Sequence, residues 1–301
     1  MHAESFTAMV IADLLMGHGG ENGVLVRGVV AMLERELGDD DVFFFFKEHE
    51  RLPADADCTA LGLSVMLLGG SRCHERAHSS LDRILANCNE DGVVETYFDP
   101  TGERDDIIDP VVCCNSLFLA YQLGRGDEAR ATLEYVHQVL IEESYLEGSR
   151  YYHSPDTFLY FLGRVVHHFP ETRALLLEPL RHAVSKRLEL NKQTFEAKHT
   201  IDLAQRSLLC TWLELDDEGT LDLLVDLQEG DGNWPNDALF RYGRKKVYFG
   251  SRAMATAFAV TAITEGKEQR ETLSDPEAEL MGVVVFGGGG GSSRVIELRR
   301  S

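Results

Sequence analysis

Two acidic side chains at the start of an apolar segment are the first candidates for chemistry. Asp55 and Asp57 lie two residues apart in LPADADCTALGL, residues 52–63, where Pro53 and small residues lead into a predicted buried helix. Two carboxylates held together away from water cannot both ionise cheaply, so one pKa rises and that group keeps its proton near pH 7. The pair therefore predicts an acid that can protonate a weak base, although an Asp at this point can equally be a helix N-cap.

A second motif lies in LLVDLQEGDGNWPNDALF, residues 223–240. Gln228 and Trp234 flank a turn that Gly232 can form without steric cost. We expect the Gln228 amide to satisfy the open end of a neighbouring helix and Trp234 to stack over that amide. The motif predicts a structural device, and Trp234 is also a candidate substrate contact.

The most basic segment of the chain is RYGRKKVYFGSR, residues 241–252, which contains Arg241, Arg244 and Lys245. Guanidinium and ammonium donors near a helix start suit phosphate oxygens, so these side chains are candidate contacts for a diphosphate. The alternative interpretation is an ordinary solvated loop. A diphosphate substrate would allow Mg²⁺ to accompany it, and no other cofactor is predicted.

Aromatic side chains precede two of the helices that the sequence predicts as inner ones. Tyr151 and Tyr152 lie just before Ser154-Pro155, and Tyr248 lies just before the helix that starts near residue 251. Loops that enter inner helices surround the mouth of a helical ring. These three tyrosines are therefore candidate substrate contacts.

Eleven histidines and six cysteines raise the question of a metal site. The histidines share no i, i+4 helical face and have no cysteine at metal-ligand spacing, so no metal site is predicted. The cysteines also form no C-x-x-C pair, which favours a reducing compartment.

The charge balance disfavours several classes of partner. The chain has 29 Lys+Arg against 50 Asp+Glu, a formal net charge of -21 and a pI of about 4.9, which disfavours nucleic acid and anionic membranes. No window offers the ~18 uncharged apolar residues of a membrane span, and the N-terminal MHAESFTAMVIADLL lacks a basic leader. These features predict a cytoplasmic protein that binds no nucleic acid and has no membrane span.

Apolar residues recur with helical periodicity through most of the chain, which predicts an all-α fold. Five segments are apolar nearly all round and start near residues 58, 111, 157, 204 and 251, about 45 to 55 residues apart. Such helices are buried on several sides, whereas the amphipathic helices between them have a solvent face. A repeated two-helix unit explains the spacing and can close into an α/α toroid or stack as an open solenoid; an irregular helical domain is the alternative.

The C-terminal residues depart from this pattern. The helical domain is predicted to cover residues 1–275 and a short Gly-rich C-terminal tail residues 276–301. Two β-branched runs flank five glycines in the tail, which can form a hairpin or remain flexible. No chemistry is assigned to it.

The two motifs together resemble those of a known enzyme family. Gln-x3-Gly-Asn-Trp resembles the QW repeat of squalene-hopene and oxidosqualene cyclases. PADADCTA resembles the Asp-x-Asp-Asp-Thr-Ala motif of these cyclases and of class II diterpene cyclases. The resemblance implies a general acid at Asp57 and a supporting carboxylate at Asp55, with Cys58 and Thr59 near the substrate.

The chain also departs from the family pattern. Cys58 stands in place of the last aspartate of the first motif, and Leu223 in place of the usual aromatic residue of the second. The bacterial triterpene cyclases are considerably longer and enclose their active site between two helical barrels. This chain is similar to one barrel alone, as in the protein prenyltransferase β subunits, so a second-barrel partner or a homo-oligomer stays open.

Three functions are compatible with these patterns. The leading hypothesis is a class II terpene cyclase-like enzyme in which Asp57 protonates a linear isoprenoid or a prenyl diphosphate. The second is a non-catalytic isoprenoid-binding or partner domain of the same fold. The third is a zinc-dependent prenyltransferase-like enzyme, which needs Asp57, Cys58 and a distant histidine to converge.

Overall fold

Helices account for most of the chain in the computed structural model, which describes residues 4–16, 21–46, 52–104, 107–193, 199–216, 219–243, 245 and 247–274. The α-helices of these residues are α1 (Phe6–Leu14), α2 (Glu21–Glu36), α3 (Ala56–Leu68), α4 (His74–Ala86), α5 (Pro110–Gln122), α6 (Arg130–Ile141), α7 (Pro155–His168), α8 (Arg173–Gln193), α9 (Thr200–Leu213), α10 (Thr220–Asp226) and α11 (Arg252–Ser274). None of these described helices combines the length and the apolarity that a bilayer span requires. The mainly helical fold expected from the periodicity is confirmed for this part of the chain.

The odd-numbered helices contact one another in a closed series. Helix α1 contacts α3, and the series continues through α5, α7 and α9 to α11, which contacts α1 again. Of the even-numbered helices, α2, α4, α8 and α10 each pack against the two odd-numbered helices beside them in the chain. The sequence pattern follows from this arrangement, because a helix with neighbours on several sides must be apolar nearly all round.

Helices α3 and α4 illustrate the difference. Every residue of α3 from Ala56 to Met66 is buried. The buried residues of α4 are Ala77, Ser80, Leu81 and Ile84, which recur at three- and four-residue intervals along one face. Burial on all sides holds α3 rigidly, which suits a helix that carries functional side chains at its start.

Five of the six odd-numbered helices correspond to the five segments that the sequence predicts as buried. The sixth, α1, has nine residues and is not among the segments that the sequence predicts as buried. So short a helix shows too few turns for its periodicity to be distinctive, and its place in the series depends on its contacts with α3 and α11. The predicted tail, residues 276–301, lies outside the described residues.

A two-stranded antiparallel hairpin lies between α10 and α11. It consists of β1 (Ala238–Arg241) and β2 (Tyr248–Gly250), and Phe240 pairs with Phe249 in its register. The sequence predicts only a basic loop here, so the hairpin corrects that interpretation. Strands of four and three residues are too short for a visible alternation, and a contact between distant segments, from the Arg241 N–H to the Tyr151 carbonyl at 2.7 Å, fixes them.

Candidate functional site

One cavity opens near the first residues of α1, α3 and α5 and beside the hairpin. It contains about 500 Å³ of empty space, counted with its opening to solvent. Its lining residues are Phe6, Phe45, Leu52, Asp55, Asp57, Cys58, Thr96, Tyr97, Val112, Tyr151, Tyr152, Phe240, Arg241, Tyr242 and Phe249. Most of these side chains are aromatic or aliphatic, and the few polar groups among them can orient a ligand.

Asp57 is held through both oxygens of its carboxyl group. Its Oδ1 accepts a hydrogen bond from Asn115 Nδ2 at 2.8 Å, and its Oδ2 bonds with the hydroxyl of Tyr152. Burial raises the pKa of Asp57 to about 7, and the negative charge of Asp55 acts in the same direction, whereas the bonds from Tyr152 and Asn115 oppose the rise. An acid with this pKa is protonated in about half of the molecules at pH 7.

Asp55 combines a structural contact with an electrostatic one. Its Oδ1 accepts the N–H of Cys58 at 2.7 Å and thereby caps α3. Its Oδ2 is buried and has no hydrogen-bond partner among the described residues. Burial raises the pKa of Asp55 to about 6, although the bonds from Cys58 oppose this. The capping interpretation therefore applies to Asp55, and it leaves the carboxyl group of Asp57 available to the cavity.

Asn115 is a site residue that sequence reasoning missed. It is buried in α5, within the apolar segment VVCCNSLFLAY. A lone amide in such a helix is itself a signal, because a buried polar group needs hydrogen-bond partners. Spacing could not name the partner, since Asp57 lies 58 residues away in the sequence.

The two residues that follow Asp57 have different surroundings. Cys58 lines the cavity, and burial raises the pKa of its thiol well above the usual value, so the thiol stays protonated at neutral pH. Thr59 is fully buried and does not line the cavity. Its Oγ1 accepts the backbone N–H of Phe43 at 3.0 Å, so the structure gives Thr59 a structural role in place of the expected substrate contact.

The expected aromatic contacts also separate into two groups. Tyr151 and Tyr152 line the cavity. Tyr248 does not, because it lies on β2 with 49% of its surface exposed and packs against His153 at 5.1 Å between ring centroids. The alternation of a strand explains this, since the neighbouring Phe249 takes the cavity side.

Trp234 lies in the hydrophobic core and does not line the cavity. Its indole N–H donates to the Leu224 carbonyl at 2.7 Å, which ties the turn to the end of α10. Gln228 Nε2 donates to the Gly232 carbonyl at 2.9 Å. The expected bond from Gln228 to a neighbouring helix is replaced by one within its own turn, because Gly232, at a φ of 86°, brings its carbonyl within reach.

Of the two basic candidates that the structure describes, Arg241 lines the cavity. Its Nη2 donates to the Ser149 carbonyl at 2.6 Å and its Nε to the Arg150 carbonyl at 3.2 Å, so part of its donor capacity fixes the loop before α7. Lys245 is exposed and does not line the cavity. Arg244 lies outside the described residues.

Three cationic groups lie over aromatic rings that belong to the cavity wall. The cation and ring pairs, with the distance from the charged group to the ring centroid, are Lys245 and Tyr242 at 5.4 Å, Arg104 and Tyr97 at 5.2 Å, and Arg150 and Tyr151 at 5.8 Å. Sequence reasoning missed Arg104 and Arg150, which lie in separate loops. Three side chains that carry positive charge therefore lie beside this cavity.

A group of phenylalanines covers the side of the cavity formed by the hairpin. Phe45 contacts Phe240 and Phe249 edge-on, with ring centroids 5.7 and 5.5 Å apart, and the last two rings stack at 5.3 Å. Rings in these orientations present π faces as well as edges to a ligand. The residue types were visible in the sequence, but their convergence depends on the hairpin.

The described residues include no group of three His, Cys, Asp or Glu side chains placed to hold a metal ion. Asp57 and Cys58 lie side by side in the cavity wall, and the lining residues include no histidine. The convergence that a zinc site would require is therefore not seen among these residues.

We expect Tyr152→Phe to raise the pKa of Asp57. The tyrosine hydroxyl stabilises the ionised carboxylate and thereby lowers the pKa. Without it, burial and the charge of Asp55 raise the pKa further. Carboxyl ¹³C NMR of protein labelled at aspartate, with the Asp57 signal assigned by its loss in Asp57→Asn, measures this titration. Tyr151→Phe is the matched control. An equal shift of the Asp57 pKa in both variants would show that loss of the Tyr152 bond is not its cause.

Known proteins resemble parts of this chain in sequence. Residues 26–123 match the family model of the C-terminal domain of astC-like sesquiterpene cyclases. The drimenol cyclase drtB of Aspergillus calidoustus is 34% identical over 224 residues, which are 74% of this chain and 40% of that protein. The chain therefore spans about two fifths of the length of this curated relative.

Solved structures resemble the chain over most of its length. The type II terpene cyclase MstE from Scytonema superimposes with a TM-score of 0.65 at 17% identity and covers 89% of both chains. A protein from Actinoplanes superimposes with a TM-score of 0.66 at 15% identity, over 87% of this chain and 90% of that one. At such identities the likeness establishes the fold alone. The chain is thus similar in sequence to a drimenol cyclase over 224 residues and in fold to a type II terpene cyclase.

Proposed function

We propose that the chain is a class II terpene cyclase, which starts its reaction by protonating a linear isoprenoid or a prenyl diphosphate. The observation that carries this proposal is the carboxyl group of Asp57, buried in the wall of an aromatic cavity with a pKa of about 7. Asp57 is the general acid, and Asp55 keeps its pKa high through negative charge. Homology to terpene cyclases supports the reaction class.

The initiating step transfers one proton. The O–H bond of Asp57 breaks, the π electrons of a terminal alkene form a new C–H bond, and a tertiary carbocation and the Asp57 carboxylate remain. Neighbouring double bonds then attack the cation in turn and close the rings. Loss of a proton or addition of water ends the sequence, and the carboxylate regains a proton from solvent before the next turnover.

The cavity wall suits cationic intermediates. The faces of Phe45, Phe240 and Phe249 stabilise positive charge through their quadrupoles, which fixed apolar rings do without acting as nucleophiles. A substrate that fills the cavity displaces water, which would otherwise intercept the cation before ring closure.

An anionic head group on the substrate fits the cationic side chains at and beside the cavity. Arg104, Arg150 and Lys245 each lie over a ring of the cavity wall, and Arg241 lines it. Guanidinium groups bind phosphate oxygens well, so we favour a prenyl diphosphate over an uncharged isoprenoid. Such a substrate would bring Mg²⁺ as its counter-ion, because this cation prefers oxygen ligands.

We propose that the helices form a single α/α toroid and that this unit contains the active site. The closed series of contacts among odd-numbered helices supports the toroid. The fold of the MstE chain, which is covered to 89%, supports an active site within one helical unit. A second helical unit, from a partner or a second copy, becomes necessary only if the purified chain is inactive alone.

Turnover in D₂O tests the proposed reaction. Purified protein is incubated with farnesyl and geranylgeranyl diphosphate and with squalene, with and without Mg²⁺, and products are analysed by mass spectrometry. Protonation predicts a cyclised product with one non-exchangeable deuterium at the initiating carbon. Cyclised product without that deuterium would contradict protonation, whereas tight prenyl binding without turnover, with candidate partner chains present, would favour a binding domain.

The pH dependence of the rate follows from the pKa of Asp57. Only the protonated carboxyl can act as the acid, so kcat/KM is expected to be constant well below pH 7 and to fall above it. The slope approaches about tenfold per pH unit once the carboxylate predominates. A rate that rises between pH 6 and 8 would require a base, and Asp57 could not then be the initiating group.

A further inference from the structure

A buried chain of polar groups extends from Asp57 away from the cavity. Asn115 donates to Asp57 through Nδ2, and its Oδ1 accepts from Arg164 Nη1 at 3.2 Å. Arg164 Nη2 in turn donates to Asp13 Oδ1 at 2.6 Å. The arginine side chain is 3% exposed and the aspartate side chain 9%. Four odd-numbered helices are linked in this way, and α1 and α7 at its far end are not neighbours in the closed series.

Stability alone is a poor explanation for this ion pair. Two charges lose their hydration on burial, and apolar residues of similar volume at such positions are often neutral or stabilising. Arg164 also lies over the ring of Phe118 at 4.2 Å and near Phe161 at 5.7 Å, surroundings that would suit an apolar side chain. The pair therefore calls for a role beyond packing.

Arg164 determines the orientation of the Asn115 amide. A guanidinium group has only donors, so the atom that faces it must be the amide oxygen. The amide nitrogen must then face Asp57, where it can only donate. Asp13 holds the guanidinium in place from the other side, so the carboxylate of α1 sets the direction of the whole chain of bonds.

The direction of these bonds decides which oxygen of Asp57 carries the proton. The Asn115 N–H can only donate, so Oδ1 accepts whether or not Asp57 is protonated. The Tyr152 hydroxyl donates to Oδ2 of the carboxylate, but a hydroxyl can turn and accept, so the proton is favoured on Oδ2. A reversed amide would present its oxygen to Asp57. It would then accept the acidic proton and favour its placement on Oδ1.

We propose that the ion pair between Arg164 and Asp13 is a positioning element of the active site, which fixes the Asn115 amide and thereby keeps the acidic proton of Asp57 on Oδ2. The inference deepens the proposed function and rests on it for the substrate side of the proton transfer. The charged and titratable groups around this chain are Asp55, Asp109, Cys58 and Cys113 near Asp57, Cys114 between Asp57 and Arg164, His168 next to Arg164 on α7, and Tyr160 near Asp13. Arg164 and Asp13 act through Asn115 and do not touch the substrate.

The test replaces both charges at once, because either single change would leave a buried charge unpaired. We expect Asp13→Leu combined with Arg164→Met to fold, to lower kcat on the order of 10- to 100-fold through misplacement of the acid, and to leave KM nearly unchanged. The pKa of Asp57 should rise, because the reversed amide stabilises its protonated form.

A mutant cycle that combines the Asp13→Leu and Arg164→Met change with Asn115→Ala separates positioning from a general loss of rigidity. If the ion pair acts only through the amide, adding the double change to Asn115→Ala should lower kcat no further. Independent, additive losses would overturn the proposal. Arg187→Met is the matched control, since it also removes a largely buried arginine of an ion pair, while its partner Asp156 keeps Arg206.

The titration of Asp57 by carboxyl ¹³C NMR makes the test independent of turnover. If the wild-type protein forms no cyclised product, the proposed function fails, but the pKa of Asp57 still reports on the amide. An upward shift in the double variant and none in Arg187→Met supports the positioning role. An unchanged titration in the folded double variant overturns it, whatever the activity.

Discussion

Asp57→Asn is expected to lower the rate of product formation by about 10²- to 10⁴-fold, the usual contribution of a general acid. The substitution keeps the shape of the side chain and removes its acidic proton. The new amide can still pair with Asn115 and Tyr152, because its oxygen accepts from the first and its nitrogen donates to the second. The fold should therefore survive, and product yield by mass spectrometry at matched protein concentration measures the loss.

Asp55→Asn is the informative comparison for that result. The cap on α3 can persist, since an Asn oxygen also accepts the Cys58 N–H. Loss of the negative charge lowers the pKa of Asp57, so the fall in rate should begin at a lower pH. If both variants lose activity equally, with the same pH profile, the assignment of Asp57 as the acid and Asp55 as its modulator is wrong.

Asp156→Asn is expected to reduce the free energy of unfolding by about 3–5 kcal/mol, the range for removal of one partner from a buried ion pair. Asp156 is fully buried and accepts from Arg187 at 3.0 and 3.1 Å and from Arg206 at 2.6 Å. The change leaves both guanidinium groups without their buried carboxylate. Urea unfolding at pH 7 measures the difference.

The pH dependence of this difference has a defined sign. Burial alone would raise the pKa of Asp156, but Arg206 and Arg187 outweigh it and hold the pKa below its usual range. The stabilisation is therefore present at neutral pH and is lost as the pH falls through the lowered pKa. Glu134→Gln, which breaks an exposed pair with Arg130, is the control and should change little. Near-wild-type stability of Asp156→Asn would contradict this prediction and would point to Asp202, whose charge also acts on Arg187 and Arg206.

The acids were predictable because their signal is local. Asp55 and Asp57 interrupt an apolar stretch at a helix start, and both lie in the cavity wall. The inner helices were predictable for the same reason, since burial on all sides leaves its mark on every turn. Homology confirms the resemblance to terpene cyclases that these short motifs carried.

The rest of the site depends on partners that are distant in the sequence. Asn115 meets Asp57 across 58 residues and Arg164 meets Asp13 across 151, so no spacing rule connects them. Asn115 and Arg164 do stand out as polar residues in apolar helices. Such a residue predicts a buried hydrogen-bond partner but does not identify it. Trp234 shows the reverse problem, because its local motif is clear while its place in the core depends on Leu224 and α11.

The hairpin has a consequence for how such an enzyme can diversify. It lies between α10 and α11 and contributes Phe240, Tyr242 and Phe249 to the cavity, while the acid and its hydrogen-bond partners lie on other segments. Exchange of Phe240, Tyr242 and Phe249, with Arg241 kept because it fixes the loop before α7, would therefore remodel the surface against which the product folds and leave the proton source intact. The architecture separates the choice of product from the start of the reaction, and the two can be engineered independently.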